Sequence, residues 1–392
     1  MKPLLHAVAA TTLGLEKVLA KELSVLGYAE ASRQPGRITI AFPHDRLTET
    51  LARLNMGTRT ADRVFLELGS FRTQDFDGFY AGVAGLPWDL VCVRDSRVVV
   101  ERVRAVQCRL SAQTTLQAMA QKAIYASLMK MYGMQRMPET GDEVRVRLWG
   151  DHDEWQVVVD TSGDALSKRG YRRLTHAAPL KETLAAGMLF LAGWSRSRPL
   201  CDPFCGSGTI PIEAALYARD AAPGLHRRFA FERWPIINGK ALHDVRQAFE
   251  ERLRDDISAD IQARDIDARA LDLARANARL AGVDALVHFD RAQAEDAKPW
   301  GNRGVLLANP PYGQRLGDAA AAQSLYRALA PMLGRFLDAG WECGFITSDP
   351  DFGRYAGTRP TSVRTLISGQ ETLYFSWFSG HKPADSKTRH DS

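Results

Sequence analysis

Leu200-Cys-Asp-Pro-Phe-Cys-Gly-Ser-Gly-Thr-Ile-Pro-Ile-Glu-Ala-Ala215 has the order strand end, acidic residue, glycine-bearing turn, apolar helix. Asp202 closes a short strand, and Gly206 and Gly208 permit backbone turns that a side chain would block. Ile210, Ile212 and Leu216 then begin a helix that can pack back on a sheet. Ligands of open α/β sheets sit outside the carboxyl ends of the strands, so a ligand is expected here. No Lys-Ser or Lys-Thr follows the glycines, as a phosphate loop requires, and Pro211 occupies the place of the third glycine of a dinucleotide fingerprint. A bare strand-to-helix turn is the plain alternative. Otherwise the backbone approaches a ligand that is not a pyrophosphate. S-adenosylmethionine is such a ligand, with an ammonium and a sulfonium for an acidic residue to attract.

From Leu200 onward strand and helix alternate, which argues for a doubly wound parallel sheet. Its candidate strand ends are Asp202, Asp265, Asn309 and Thr347. An acid at the end of the second strand suits ribose hydroxyls, and Asp265 is the first choice. Asp267 precedes a helical run from Ala268 to Ala281 and reads equally as a helix-start residue. Arg219 to Asp256 interrupts the alternation and reads as an insertion near the active-site rim. Val363 to Ile367 and Thr372 to Phe378 form a terminal strand pair, and the polar tail beyond Gly380 is expected to be disordered.

Asn309-Pro310-Pro311-Tyr312 follows the apolar strand Val305-Leu-Leu-Ala308 directly. A double proline cannot continue a strand, so the chain breaks out at its carboxyl end. That turn presents the Asn309 side-chain oxygen and the Pro310 carbonyl as two acceptors for an exocyclic amine. Held so, the nitrogen lone pair is aimed away from its conjugated ring. Tyr312 offers an aromatic face to that ring, a stacking worth roughly 1–3 kcal/mol per base.

The first 165 residues alternate short strands and helices, as in small α+β units. Glu143 to Trp149 and Glu154 to Asp160 read as a hairpin. Arg102, Arg104, Arg109, Lys122, Lys130, Arg136, Arg145 and Arg147 make this part rich in cations: a solvated face, or a surface for phosphates. Ser167-Lys-Arg-Gly-Tyr-Arg-Arg173 follows, and Lys168, Arg169, Arg172 and Arg173 are expected to hold a nucleic-acid backbone while Tyr171 packs or stacks. Pro179 to Trp194 reads as a helix.

At 392 residues the chain has room for two or three domains, and a net charge of +5 permits an anionic partner without demanding one. Five scattered cysteines without a Cys-x-x-Cys pair indicate neither a disulfide framework nor a zinc site. Without a long apolar run, a cytoplasmic protein with reduced thiols is the default, and no metal, no membrane contact and a monomer are expected.

Asp202-Pro-Phe-Cys-Gly-Ser-Gly-Thr209 together with Asn309-Pro-Pro-Tyr312 resembles a class I S-adenosylmethionine-dependent amino-methyltransferase. Gly14-Leu-Glu-Lys, Arg169-Gly-Tyr-Arg172, Pro179-Leu-Lys-Glu-Thr-Leu184, Pro223-Gly-Leu-His226 and Pro310-Pro-Tyr-Gly-Gln-Arg-Leu316 extend the resemblance over nearly the whole chain. It is closest to the THUMP-domain RNA guanine-N2 methyltransferases of the bacterial large-subunit ribosomal RNA group. The resemblance implies an α/β chain with a ferredoxin-like unit at 1–60, a THUMP RNA-binding domain at 61–165, a Rossmann-like methyltransferase domain with a terminal antiparallel strand at 166–380, and a tail at 381–392. It implies that Asp202, Pro203, Phe204, Cys205, Gly206, Gly208 and Thr209, with Asp265 and Asp267, contact S-adenosylmethionine. After the third strand (Leu286 to Phe289) the family usually has an Asp that accepts from the cofactor's adenine amine; Gln293 stands nearest that position here, with Asp290 and Asp296 flanking as the other candidates. The expected activity is methylation of guanosine N2 in RNA, ribosomal before transfer RNA. The alternatives are the same chemistry on DNA or protein amines, and an RNA-binding assembly factor with an inactive catalytic domain.

Overall fold

In the computed structural model the described residues are 4–172, 180–311 and 319–380. Tyr312, Arg173 and the tail 381–392 lie outside them, as does Pro179 at the expected helix start. The chain divides into two compact units. The first comprises the residues up to Thr11, Leu19–Leu166 and Ala222–Glu251; the second comprises Thr12–Val18, Ser167–Ala221 and the residues from Arg252 on.

Seven strands build the sheet of the first unit among the described residues: β1 (Leu5–Thr11), β2 (Glu30–Gln34), β3 (Arg37–Phe42), β4 (Ala61–Arg72), β5 (Arg97–Val106), β6 (Glu143–Asp151) and β7 (Glu154–Asp160). Their order is β2-β3-β1-β4-β7-β6-β5. β4 pairs with β1 on one side and β7 on the other, so no break in the sheet falls at the expected 60/61 boundary. β2 escapes sequence reasoning because all five of its residues are exposed, which leaves no alternation to read. Most of the expected insertion Arg219–Asp256, namely Ala222–Glu251, packs into this unit. Gly224 donates its N–H to the Met56 carbonyl at 2.9 Å, and a side chain there would lie 2.6 Å from the Asn55 carbonyl oxygen. Asn238 donates its N–H to Thr48 Oγ1 at 3.0 Å.

The second unit holds β8 (Leu200–Asp202), β9 (Ile261–Asp265), β10 (Val287–Arg291), β11 (Val305–Ala308), β12 (Glu342–Thr347), β13 (Ser362–Ser368) and β14 (Glu371–Ser379). Their order is β10-β9-β8-β11-β12-β14-β13. The first five are parallel, and β14 runs antiparallel to both β12 and β13, as the terminal pair predicts. β8 and β11 are buried at every position, the pattern of central parallel strands covered on both faces. Each such Leu or Val contributes about 1.5–3 kcal/mol on burial. From β8 the chain builds outward through β9 to β10, then crosses back to β11 and continues to β12. The order of strand addition therefore reverses between β8 and β11, and the crevice there opens at their carboxyl ends.

Thr12–Val18 belongs to this second unit for a local reason. Leu13 bridges to Ile367, and a side chain at Gly14 (φ +99°) would lie 2.5 Å from the Thr365 carbonyl oxygen. Leu15 fills the space that Gly187 leaves open. The Gly14-Leu-Glu-Lys motif is thereby a docking element of the catalytic sheet.

Candidate active site

Asp202 ends β8 with its side chain 1% exposed, and its Oδ1 accepts the Phe204 N–H at 3.0 Å. Burial raises its carboxyl pKa well above the ordinary range, with Asp265 nearby adding to the effect. No cation is paired with Asp202 among the described residues. A buried carboxylate in that position is costly unless a cation reaches it.

The turn that follows is held from β9. Cys205 donates its N–H to the Arg264 carbonyl at 2.9 Å, and Gly206 donates its N–H to Asp265 Oδ2 at 2.8 Å. Asp265 Oδ1 accepts the Asp267 N–H at 2.9 Å, so one carboxylate ties together two loops. Gly206 (φ +53°) and Gly208 (φ +86°) are both left-handed. A Cβ on Gly208 would press on Ala274 and Ile212 at 3.1 Å, whereas one on Gly206 would enter open space. The glycine turn is thus packed behind and clear in front, as a ligand cradle needs. Asn277, buried within the following helix, donates its side-chain N–H to the Ser207 carbonyl at 3.0 Å. Sequence reasoning missed Asn277, because an asparagine inside Ala268–Leu280 gives no signal until the helix is placed.

Asp267 is the N-cap of that helix and accepts the Arg269 N–H at 2.9 Å, the helix-start role expected as its alternative. Gln293 is exposed in the loop after β10, at the carboxyl end of the sheet, and its side chain makes no cap. Pro203, Phe204 and Thr209 complete the turn, and the Thr209 side chain is buried. Cys205 is buried, and its thiol pKa is pushed well up by burial and then by the two neighbouring carboxylates. That environment disfavours a thiolate and hence nucleophilic attack.

Asn309 follows β11, whose Leu306 is level with Cys201 of β8. From that rung Asp202 lies one residue further along its strand and Asn309 three. The two therefore share the crevice at the reversal point. Asn309 Oδ1 is buried without a hydrogen-bond partner among the described residues. Pro310 is buried and Pro311 partly so.

One expectation is overturned. Arg169 and Tyr171 are 8% and 4% exposed, and the Arg172 side chain is equally enclosed. Arg169 pairs with Glu213 at 3.5 Å, and Tyr171 donates its hydroxyl to the same carboxylate at 3.1 Å. Arg172 pairs with Glu182 at 3.1 Å. These groups face the interior of the second unit, so they are not a surface for a nucleic-acid backbone; Lys168 alone of the described set is exposed. Glu213 within the apolar run Ile210–Leu216 was the legible sign that a buried cation would meet it.

The fold and this site are those of an S-adenosylmethionine-dependent methyltransferase, with S-adenosylmethionine as the methyl donor. The carboxylate of Asp202 without a cation and the open front of Gly206 both fit that cofactor. Residues 169–373 match the RMKL-like methyltransferase domain and residues 6–65 the RlmL ferredoxin-like domain, and the chain belongs to this RMKL-like methyltransferase family. It is 35% identical over 384 residues to YpsC of Bacillus subtilis (strain 168), a provisionally named RNA methyltransferase, covering 97% of this chain and 98% of that one. It is 34% identical over 386 residues to the ribosomal RNA large subunit methyltransferase K/L of Syntrophotalea carbinolica (strain DSM 2380 / NBRC 103641 / GraBd1), covering 92% of this chain but 52% of that protein's length. The crystal structure of SMU.472, a provisionally assigned methyltransferase complexed with SAH, superposes with a TM-score of 0.87 at 33% identity, covering 98% of this chain and 100% of that one.

No helix among the described residues is long and apolar enough to cross a membrane. The described residues contain no group of three or more potential metal ligands.

Proposed function

We propose that this chain methylates the exocyclic N2 amine of a guanosine in RNA, with ribosomal RNA favoured over transfer RNA. The observation that carries the amine is Asn309 Oδ1, buried without a hydrogen-bond partner among the described residues. Leaving a buried acceptor unsatisfied costs about 1–3 kcal/mol, a cost recovered when a substrate N–H donates to it. The Pro310 carbonyl takes the second amine N–H, and the two acceptors together turn the nitrogen lone pair out of conjugation. Tyr312, which lies outside the described residues, is assigned to the base on its aromatic character alone.

S-adenosylmethionine, when bound, supplies a methyl group already activated by its sulfonium. Asp202 attracts the donor's positive charge, the Gly206–Gly208 turn admits its backbone-hugging portion, Asp265 accepts from its ribose hydroxyls, and Gln293 accepts from its adenine amine. The protein's main contribution is positioning, and the amine proton is free to leave to water after transfer.

RNA as the substrate class is supported by the names of both curated relatives. It is supported also by exposed Arg102, Arg104, Arg109, Lys122, Lys130 and Arg136 in residues 61–165, the proposed THUMP domain. Arg145 and Arg147 are spent on Glu143 and Glu101, at 2.5 and 2.8 Å. The target guanine must be unpaired or flipped, at a cost of a few kcal/mol that phosphate contacts repay.

The test incubates the protein and methyl-labelled cofactor in parallel with undermodified total RNA, with unmethylated DNA and with cell protein, and maps the labelled nucleoside by mass spectrometry. N2-methylguanosine in large-subunit ribosomal RNA is expected. Label only in DNA or protein would overturn the RNA assignment, and label on another nucleoside would overturn N2.

A further inference from the structure

Thr209 and Glu213 are four residues apart and so present their side chains on one face of helix Thr209–Ala218. Both are gripped by the same short segment. Arg172 donates from Nη2 to Thr209 Oγ1 at 2.9 Å, while Arg169 and Tyr171 hold Glu213 Oε1 one turn further on. Gly170, with φ +101°, lets the chain turn between the two arginines. Arg172 is itself anchored by the Leu180 carbonyl at 3.0 Å and by Glu182 at 3.1 Å. All three contacts converge on Nη2, whose two N–H groups are directed at the Leu180 carbonyl and the Thr209 hydroxyl with the Glu182 carboxylate beside them.

The helix it grips starts in an unusual way. Its N-cap is Gly208, left-handed at φ +86°, and no side chain caps the first turn. The turn backbone is held at Gly206 by Asp265, at the Ser207 carbonyl by Asn277 and by the Gly208 N–H on the Cys205 carbonyl at 2.7 Å, but none of these bonds is made by the Thr209 side chain. Buried ion pairs contribute little net stability against apolar packing of equal volume, so stability alone is a weak reason for burying this much charge.

We propose that Arg172 is a positioning residue for the cofactor turn: through the Thr209 hydroxyl it sets the orientation of the Gly206–Thr209 backbone against the donor. The assignment rests on the cofactor alone and is independent of which amine accepts the methyl group. Arg172 orders the turn in advance, so that binding need not supply the ordering free energy.

Calorimetric titration with S-adenosylhomocysteine, without RNA, tests this. Thr209→Val keeps the shape and removes the acceptor; it should weaken binding about tenfold, with the melting temperature of the free protein little changed. Thr209→Ser should bind as the parent does. Arg172→Lys should lose a similar factor, and the double variant should lose no more than either alone. Should Arg172→Lys fail to fold, Glu182→Gln, which loosens the anchor, takes its place in the cycle. Parent-like affinity in Thr209→Val, or losses that multiply in the double variant, would overturn the proposal; the second outcome would make Thr209 a direct ligand. Weaker RNA retention by Arg172→Lys with unaltered cofactor affinity would also overturn it and return Arg172 to phosphate binding.

Discussion

Gly206 donates its N–H to Asp265 Oδ2 at 2.8 Å, so the residue that ends β9 holds the turn that follows β8. The other oxygen of the same carboxylate holds Asp267 N at 2.9 Å. One side chain therefore sets the spacing of the two loops. Each oxygen keeps a second lone pair, which on the proposed reading accepts from a ribose hydroxyl.

Asp265→Asn should break this arrangement by half, since an amide has one acceptor oxygen where the carboxylate has two. An N–H of Gly206 or Asp267 then loses its partner, at about 1–3 kcal/mol. Cofactor affinity is expected to fall by at least tenfold in a calorimetric titration. Unchanged affinity would remove Asp265 from the site.

Asp202 makes binding depend on pH. Its carboxyl is raised well above the ordinary range in the free protein, chiefly by burial. A raised acid contributes stability that is full below its unfolded pKa and is lost as pH rises through the folded value. The free protein should therefore lose melting temperature as pH rises above about 4, the unfolded value. A cationic ligand favours the ionised form, so binding releases a proton and tightens with rising pH. Titrations in buffers of different ionisation enthalpy should read that release; proton uptake, or none between pH 5 and 8, would contradict the assignment.

Asn309→Ala removes the acceptor proposed to orient the amine and leaves the residues of the glycine turn unchanged. Methyl transfer is expected to fall on the order of 100-fold in kcat, the scale of a lost positioning group, with cofactor affinity preserved. Full activity in this variant would remove Asn309 from the chemistry.

Arg102 and Arg104 are exposed on β5, at the edge of the first sheet. Replacing both by alanine should weaken RNA binding and flatten its logarithmic salt dependence by about 0.7–0.9 per cation lost. Cofactor affinity should not change. An unaltered salt slope would assign these arginines to an ordinary solvated face.

Much of the catalytic sheet is legible along the chain because its signals are local. Leu200–Asp202 and Val305–Ala308 are apolar runs that stop at an acid and at a double proline. Val363–Ile367 and Thr372–Phe378 alternate around a turn, and they emerge as β13 and β14, each slightly longer. The Asp267 ambiguity was also real in the sequence, since an N-cap and a ligand residue look alike until the Arg269 N–H is seen on its oxygen.

The basic segment Lys168–Arg172 shows where local reading stops. Charge is a property of the residue, but whether it meets solvent, phosphate or a buried acid depends on partners far along the chain. Glu213 is 44 residues from Arg169, and only packing brings them together. The same holds for Ala222–Glu251, an insertion by position in the sequence but part of the first unit by its hydrogen bonds to Met56 and Thr48. What the sequence determined by itself was which groups stand at the carboxyl ends of β8 and β11, because Asp202, Gly206, Gly208 and Asn309-Pro310-Pro311 follow apolar runs and impose their own backbone preferences. What only the tertiary structure decided was which charges remain available, because a cation's role is set by the acid it reaches first.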